Sequence, residues 1–145
     1  MGRSTSGHGS ALGQPYNHMI MPLATPGDRA TQIEWGLRDF RRRFSREPEG
    51  MWLPETAVDI PTLEVLADNG IAFTVLAPNQ AARVRRIDGN EWNTVDEVSL
   101  DTTRPYVQRL RSGKSIAIFF YDAKVSRAVA FIESTFEGFG RRRRA

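Results

Sequence analysis

Two carboxylates stand out by what precedes them. Glu55 directly follows the apolar run Met51-Trp52-Leu53-Pro54, and Asp122 directly follows Ser115 to Tyr121, which reads SIAIFFY. In α/β proteins with parallel strands, ligands bind beyond the C-terminal ends of those strands. Both carboxylates would then lie on the same edge of one sheet. Two carboxyl groups so placed are what glycoside cleavage needs: one attacks or stabilises the anomeric carbon and the other protonates the leaving oxygen. The plainer reading of each is a cap on the helix that follows the strand. Trp52 next to Glu55 suits stacking on a sugar ring, or a place in the core. Tyr16, Asn17 and His18 put three hydrogen-bonding side chains ahead of another apolar run.

Other chemistries have less support. The chain has no cysteine and only two histidines, His8 and His18. A metal centre would have to be built from carboxylates and a single imidazole, because His8 falls in a loop-like stretch. No metal or other cofactor is expected. Gly7-His8-Gly9 lacks the strand and helix context of a phosphate-binding loop.

The elements that must position these residues follow from periodicity. The run from His18 to Leu23 (HMIMPL) predicts a short buried strand ending at Pro22. Thr25-Pro26-Gly27-Asp28 starts a helix, and Ile33, Leu37, Phe40 and Phe44 share one of its faces from Arg29 to Phe44. Met51 to Pro54 predicts a second strand. Asp59 caps a helix with Pro61 in its first turn and Ile60, Leu63, Leu66 and Ala67 facing inward, closed at Asn69-Gly70. Ile71 to Leu76 (IAFTVL) predicts a third strand, and Ser115 to Tyr121 a fourth. Pro78 to Thr103 reads as polar and irregular, with a turn at Asp88-Gly89-Asn90. A last helix is expected from about Val125 to Phe136, with Val125, Val129, Ile132 and Phe136 on one stripe. Continuous apolar strands separated by helices point to an α/β fold with a parallel sheet covered on both faces.

Length and charge bound the rest. The chain has 145 residues, short of the roughly 250 of a complete (β/α)8 barrel. Four of the 20 basic residues form the run Arg141–Arg144, and the 16 that remain face 17 acidic ones, so the net charge of +3 belongs to that run. Arg41, Arg42, Arg43 and Arg46 sit at a helix end, where cations complement the helix dipole. No specific nucleic-acid partner is expected, no apolar run is long enough for a membrane span, and a cytoplasmic location is anticipated.

The motifs themselves resemble glycoside hydrolase family 57, in particular its uncharacterised bacterial branch. Gln14-Pro15-Tyr16-Asn17-His18-Met19-Ile20-Met21-Pro22-Leu23-Ala24 is similar to one segment of that family. Pro48-Glu49-Gly50-Met51-Trp52-Leu53-Pro54-Glu55-Thr56-Ala57-Val58-Asp59 resembles its nucleophile motif. Ile118-Phe119-Phe120-Tyr121-Asp122, followed by Val125-Ser126-Arg127-Ala128-Val129-Ala130-Phe131, resembles the region of its general acid. The resemblance runs from about Gly7 to Gly138 and implies a retaining enzyme active on α-glucans, without a required metal, on an incomplete (β/α)7 barrel. It implies Glu55 as nucleophile, Asp122 as general acid/base, and His18, Trp52, Tyr16 and Asn17 as sugar contacts. A retaining pair sits about 5–5.5 Å apart, which neighbouring strand ends can supply.

Two departures shape the expected organisation. The family's early His-Gln-Pro motif is not in this chain, and only about half a barrel of strands is visible. The chain therefore reads as an interior piece of a larger catalytic domain: a flexible segment 1–14, a partial glycoside hydrolase domain 15–139 and a basic tail 140–145. An oligo- or polysaccharide is the expected substrate, with the rest of the barrel or a second chain needed beside it, and the truncated chain by itself inactive. Two alternatives remain open at this point. One is a polysaccharide deacetylase-like hydrolase, whose metal an Asp and two His would hold. The other is a non-catalytic fragment.

Overall fold

The structure, a computed structural model, describes residues 9–130. They form two compact units. The first contains the described residues up to Leu76 together with Arg104–Phe119, and the second contains Ala77–Thr103 together with the described residues from Phe120 onward.

In the first unit, helix α1 spans Pro26–Phe44. The Thr25 hydroxyl accepts the Asp28 N–H and caps it, Pro26 occupies its first turn, and Ser45 ends it in the left-handed conformation. Ile33, Leu37 and Phe40 are buried, as their spacing predicts. Phe44, expected on the same face, is exposed at the helix end and packs on Phe40 with ring centroids 4.5 Å apart. Helix α2 spans Ile60–Asp68; the Asp59 carboxylate accepts the Thr62 N–H at its start, and Leu63 and Leu66 enter the core. Ile60, expected inward, is exposed instead. The first residue of a helix precedes the turn that packs down, so its side chain escapes the buried stripe.

A four-stranded sheet carries these helices, with β1 at Gly50–Met51, β2 at Phe73–Leu76, β5 at Tyr106–Arg109 and β6 at Ser115–Phe120, in the order β1-β2-β6-β5. Strands β1 and β2 are parallel, with Gly50 opposite Phe73. Beyond β1, Gly13 makes a single parallel bridge to Met51. The Ala117 N–H of β6 donates to the Ala72 carbonyl at 2.9 Å. Strand β5 pairs with β6 antiparallel, Tyr106 opposite Ile118. The sheet is thus mixed, which corrects the wholly parallel expectation. Lys114 lies in a tight turn through Ser112-Gly113, and Gly113 takes the positive φ of 83° that this turn requires. Strand β6 alternates, with Ile116 and Ile118 buried while Phe119 is exposed and meets Phe73 edge to face at 5.4 Å. Buried Thr74 satisfies its hydroxyl on the Met51 carbonyl at 2.8 Å.

The expected strand over His18 to Leu23 is also corrected. Met21–Leu23 form a 3-10 turn entered from Ile20. Pro22 has no N–H for a ladder but has the φ that a helical first turn requires. Only Met21 of that run is fully buried.

In the second unit, β3 (Arg83–Val84) and β4 (Asn93–Thr94) form an antiparallel hairpin, Arg83 opposite Thr94. The Arg83 and Arg85 guanidiniums lie 5.8 and 5.2 Å from the Trp92 ring centre. This segment was expected to be irregular. Helix α3 covers Ala123–Ala130, with Val125 and Val129 exposed. Ile132 and Phe136, expected on its stripe, lie outside the described residues, as do His8 and Arg141–Arg144. No helix among the described residues is long and apolar enough to cross a membrane.

Two contacts within the first unit lend themselves to tests. Glu64 on α2 accepts the Arg111 N–H at 2.7 Å and the Ser112 N–H at 3.3 Å, as well as the Ser112 hydroxyl. The Ser112 hydroxyl, above all, holds its carboxyl below the usual carboxylate range. A depressed folded-state pKa contributes stability that is present above the unfolded value, about 4.3, and is lost as pH falls through the folded value. Glu64→Gln should therefore lower the melting temperature at pH 7, and the difference from the wild type should close as the pH falls below the usual carboxylate range. Gly36 admits the chain before it so closely that an added Cβ would stand 2.0 Å from the Gln14 carbonyl oxygen. Gly36→Ala should cost about 1–3 kcal/mol in urea unfolding, a loss that the better helix propensity of alanine does not offset.

Candidate active site

Glu55 sits on a one-turn 3-10 segment, Pro54–Thr56, between β1 and the cap of α2. Its backbone is left-handed, with φ 54° and ψ 19°, and Thr56 follows with φ 51°. Two consecutive non-glycine residues at positive φ are costly, and such strain persists only where surrounding structure enforces it. Here Leu53, Pro54 and Thr56 are buried, and the Thr56 and Ala57 N–H groups donate to the Leu53 and Pro54 carbonyls, both at 3.0 Å. These three neighbours are held in the core while the Glu55 side chain is 71% exposed. The turn presents a carboxylate to solvent.

His18 is the partner of that carboxylate. Its Nε2 lies 3.0 Å from Glu55 Oε1. An ionised carboxylate only accepts, so the bond requires the proton on Nε2. The imidazole is 70% exposed as well, so the pair faces solvent as one unit.

Tyr16 and Asn17 are placed differently. The Tyr16 N–H donates to the Gln32 carbonyl at 3.0 Å, and the Asn17 N–H to the Gln32 side-chain oxygen at 2.7 Å. The Tyr16 ring meets Trp35 of α1 edge-on with centroids 5.6 Å apart. Both residues are thus fastened to α1, whereas His18, next in the chain, reaches the Glu55 turn. Trp52 is half-buried, and its N–H donates to the Gly13 carbonyl at 2.8 Å.

A residue that spacing did not single out joins the two segments. Arg29 is 7% exposed. Its Nε donates to the Met21 carbonyl at 3.2 Å, and its Nη2 to the Ala24 carbonyl at 3.5 Å and to Asp59 Oδ2 at 3.4 Å. One guanidinium therefore ties the turn after His18 to the residue that caps α2 just after Glu55. The sign of this was available: Arg29 lies four residues before Ile33, on the buried stripe of α1.

Asp122 belongs to the second unit. It is exposed and caps α3: its Oδ1 accepts the Lys124 N–H at 2.8 Å and the Val125 N–H at 3.0 Å, and its carbonyl accepts the Ser126 N–H at 2.9 Å. The plainer reading of this residue is therefore realised in the structure, with Oδ2 left over. Among the described residues, no group of three or more His, Asp or Glu side chains is arranged to hold a metal ion.

No curated protein matches this chain. Among solved structures it is similar to the 4-alpha-glucanotransferase of Thermococcus litoralis, with 20% identity and a TM-score of 0.62 over 90% of this chain and 19% of that one. It is similar to the GH57-type branching enzyme of Pyrococcus horikoshii, with 19% identity and a TM-score of 0.64 over 89% of this chain and 24% of that one. It is also similar to the alpha-amylase AmyC of Thermotoga maritima, with 20% identity and a TM-score of 0.61 over 81% of this chain and 20% of that one. At these identities the likeness is one of fold, and the chain spans only about a fifth to a quarter of each. The model of glycosyl hydrolase family 57 matches residues 4–140, nearly the whole sequence, and this chain belongs to that family.

Proposed function

We propose that this chain carries the catalytic carboxylates of a retaining, α-glucan-active hydrolase or transglycosylase, as part of an incomplete (β/α)7 barrel. The observation that carries the reading is the Glu55 turn: a strained, left-handed glutamate, held by buried neighbours and bonded to His18. Such strain at an exposed carboxylate marks a functional position. The names of the three structural neighbours, a glucanotransferase, a branching enzyme and an amylase, favour α-glucans as the substrate class.

The mechanism assigns each oxygen a task. His18 holds Oε1 of Glu55, and Oε2 attacks the anomeric carbon from the face opposite the leaving group. Asp122 Oδ2, the oxygen not occupied in capping α3, delivers its proton to the glycosidic oxygen as that bond breaks. A glycosyl ester on Glu55 results. In the second half, Asp122 as carboxylate takes a proton from the incoming hydroxyl, which attacks the anomeric carbon and releases Glu55. With water as acceptor the net reaction is hydrolysis; with a glucan hydroxyl it is transfer. Trp52, three residues before Glu55, offers a ring to the sugar.

The test is chemical and applies to this chain and to any longer protein that contains it. Glu55→Gln should abolish turnover of maltooligosaccharides, a loss on the order of 10⁴-fold. Added azide should partly rescue Glu55→Ala and yield a glycosyl azide of inverted configuration, because the small anion occupies the place of the missing carboxylate. Turnover indifferent to Glu55→Gln would refute the assignment. Asp122→Asn should suppress cleavage of maltooligosaccharides far more than that of a glycosyl fluoride, whose leaving group needs no proton. Equal loss on both substrates would leave Asp122 as a helix cap and nothing more.

A further inference from the structure

One cavity of the first unit lies away from the Glu55 turn. It has a volume of about 440 Å³ and opens between the segment from Leu12 to Asn17 and the last two turns of α1, where Asp39, Phe40, Arg43 and Phe44 line it. This is within the roughly 300–1,000 Å³ of small-molecule sites. Gly36 makes it possible: with no side chain there, the Gln14 backbone settles against the helix, and Gln14, Tyr16 and Asn17 line the opening.

The lining has a definite chemistry. Tyr16 and Phe44 are half exposed in it, offering flat apolar faces. The Tyr16 hydroxyl and the side-chain amides of Gln14 and Asn17 make no hydrogen bond among the described residues, although the Tyr16 and Asn17 backbones are tied to Gln32. Arg43 Nε donates to Asp39 Oδ2 at 2.6 Å, so the one cation and the one anion of the groove cancel. An anionic ligand would meet no net charge here. Aromatic faces flanked by uncommitted amides, a hydroxyl and a neutral guanidinium–carboxylate pair match a neutral, flat, hydroxyl-rich molecule. Pyranose rings present C–H faces to aromatics and hydroxyl edges to amides. The groove also adjoins the catalytic reading in sequence, since Asn17 is followed directly by His18.

We infer that this groove on α1 binds a stretch of oligosaccharide in addition to the Glu55 turn, with Tyr16 as its stacking platform and Gln14, Asn17 and the Asp39–Arg43 pair as its hydroxyl partners. The commitment to α-glucan as the sugar rests on the proposed function; the groove itself does not. Its role is to retain a long chain, so short sugars that fill one site gain nothing from it.

Tryptophan resonances keep the two readings separable. The protein has three tryptophans. Trp35 abuts Tyr16 and Trp52 lies three residues before Glu55, so their indole N–H signals in the ¹⁵N-labelled full chain report the groove and the turn respectively. Titration with maltoheptaose should shift the Trp35 signal saturably, and the shift should persist in His18→Ala. Tyr16→Ala should weaken the binding seen at Trp35 by about tenfold or more, and Gln14→Ala by about three- to tenfold. Gln14→Ala decides the matter should Tyr16→Ala fail to fold. Movement of Trp52 with Trp35 unmoved would overturn the groove while leaving the Glu55 reading in place. Movement of Trp35 alone would uphold the groove and count against sugar binding at the turn. An equal response to cellohexaose would overturn the preference for α-glucan, and a Trp35 shift unaffected by either variant would overturn the groove.

Discussion

A buried cation has few tolerable environments, and Arg29 occupies one. Removing a guanidinium from water costs several kcal/mol unless its N–H groups find acceptors and its charge a counterion. The Met21 and Ala24 carbonyls supply the first and Asp59 the second. Each partner is thereby drawn to one point beneath α1, and none can move without stranding the charge. Asp59 is in turn committed through its other oxygen to the Thr62 N–H at 2.8 Å. The loop after His18, the start of α2 and the first turn of α1 form one linked assembly, and the Glu55 turn is suspended from it. Replacing this network by apolar contacts could preserve stability, but it would not fix where two separate loops meet.

The Glu55 turn shows the same logic at smaller scale. At two turns the chain takes the left-handed conformation with glycine, Gly70 and Gly113 with φ of 78° and 83°, and at the end of α1 with the small Ser45. At position 55 it places a glutamate in that region and follows it with a threonine there too. The packing of Leu53 and Pro54 compensates for the strain locally. What is gained is orientation: the carboxylate points outward from a turn whose remaining residues cannot relax.

Much of this was legible in advance, and the failures are instructive. The stripe Ile33, Leu37, Phe40 identified α1, and Thr25, Asp59 and Gly70 identified the helix ends, because amphipathic period and capping chemistry are local properties. The pairing of His18 with Glu55 was half legible, since both residue types were singled out but the bond between them joins positions 37 apart. Strand β5 escaped notice because Tyr106–Arg109 is short, polar and half exposed, a pattern that only its partner β6 makes into a strand. The run from His18 to Leu23 misled because apolar content alone does not distinguish a strand from a buried turn, and Pro22 favours the turn. The place of Arg29 on the α1 stripe signals its burial, but its partners are not legible, because two of its acceptors are backbone carbonyls, which have no residue identity to read.

The first unit is completed by a segment that returns after an excursion. Strand β2 ends at Leu76, yet its neighbour in the sheet, β6, begins only at Ser115. During synthesis at about 5–20 residues per second, the intervening stretch keeps that side of β2 without its native neighbour for a few seconds. An unpaired strand edge is a template for pairing with another chain. Contacts of such sequence separation also form late in folding, because the loop must close before they are rewarded. The hairpin built from β3 and β4 lies within that excursion, so it is made during the interval in which this edge of β2 stands open.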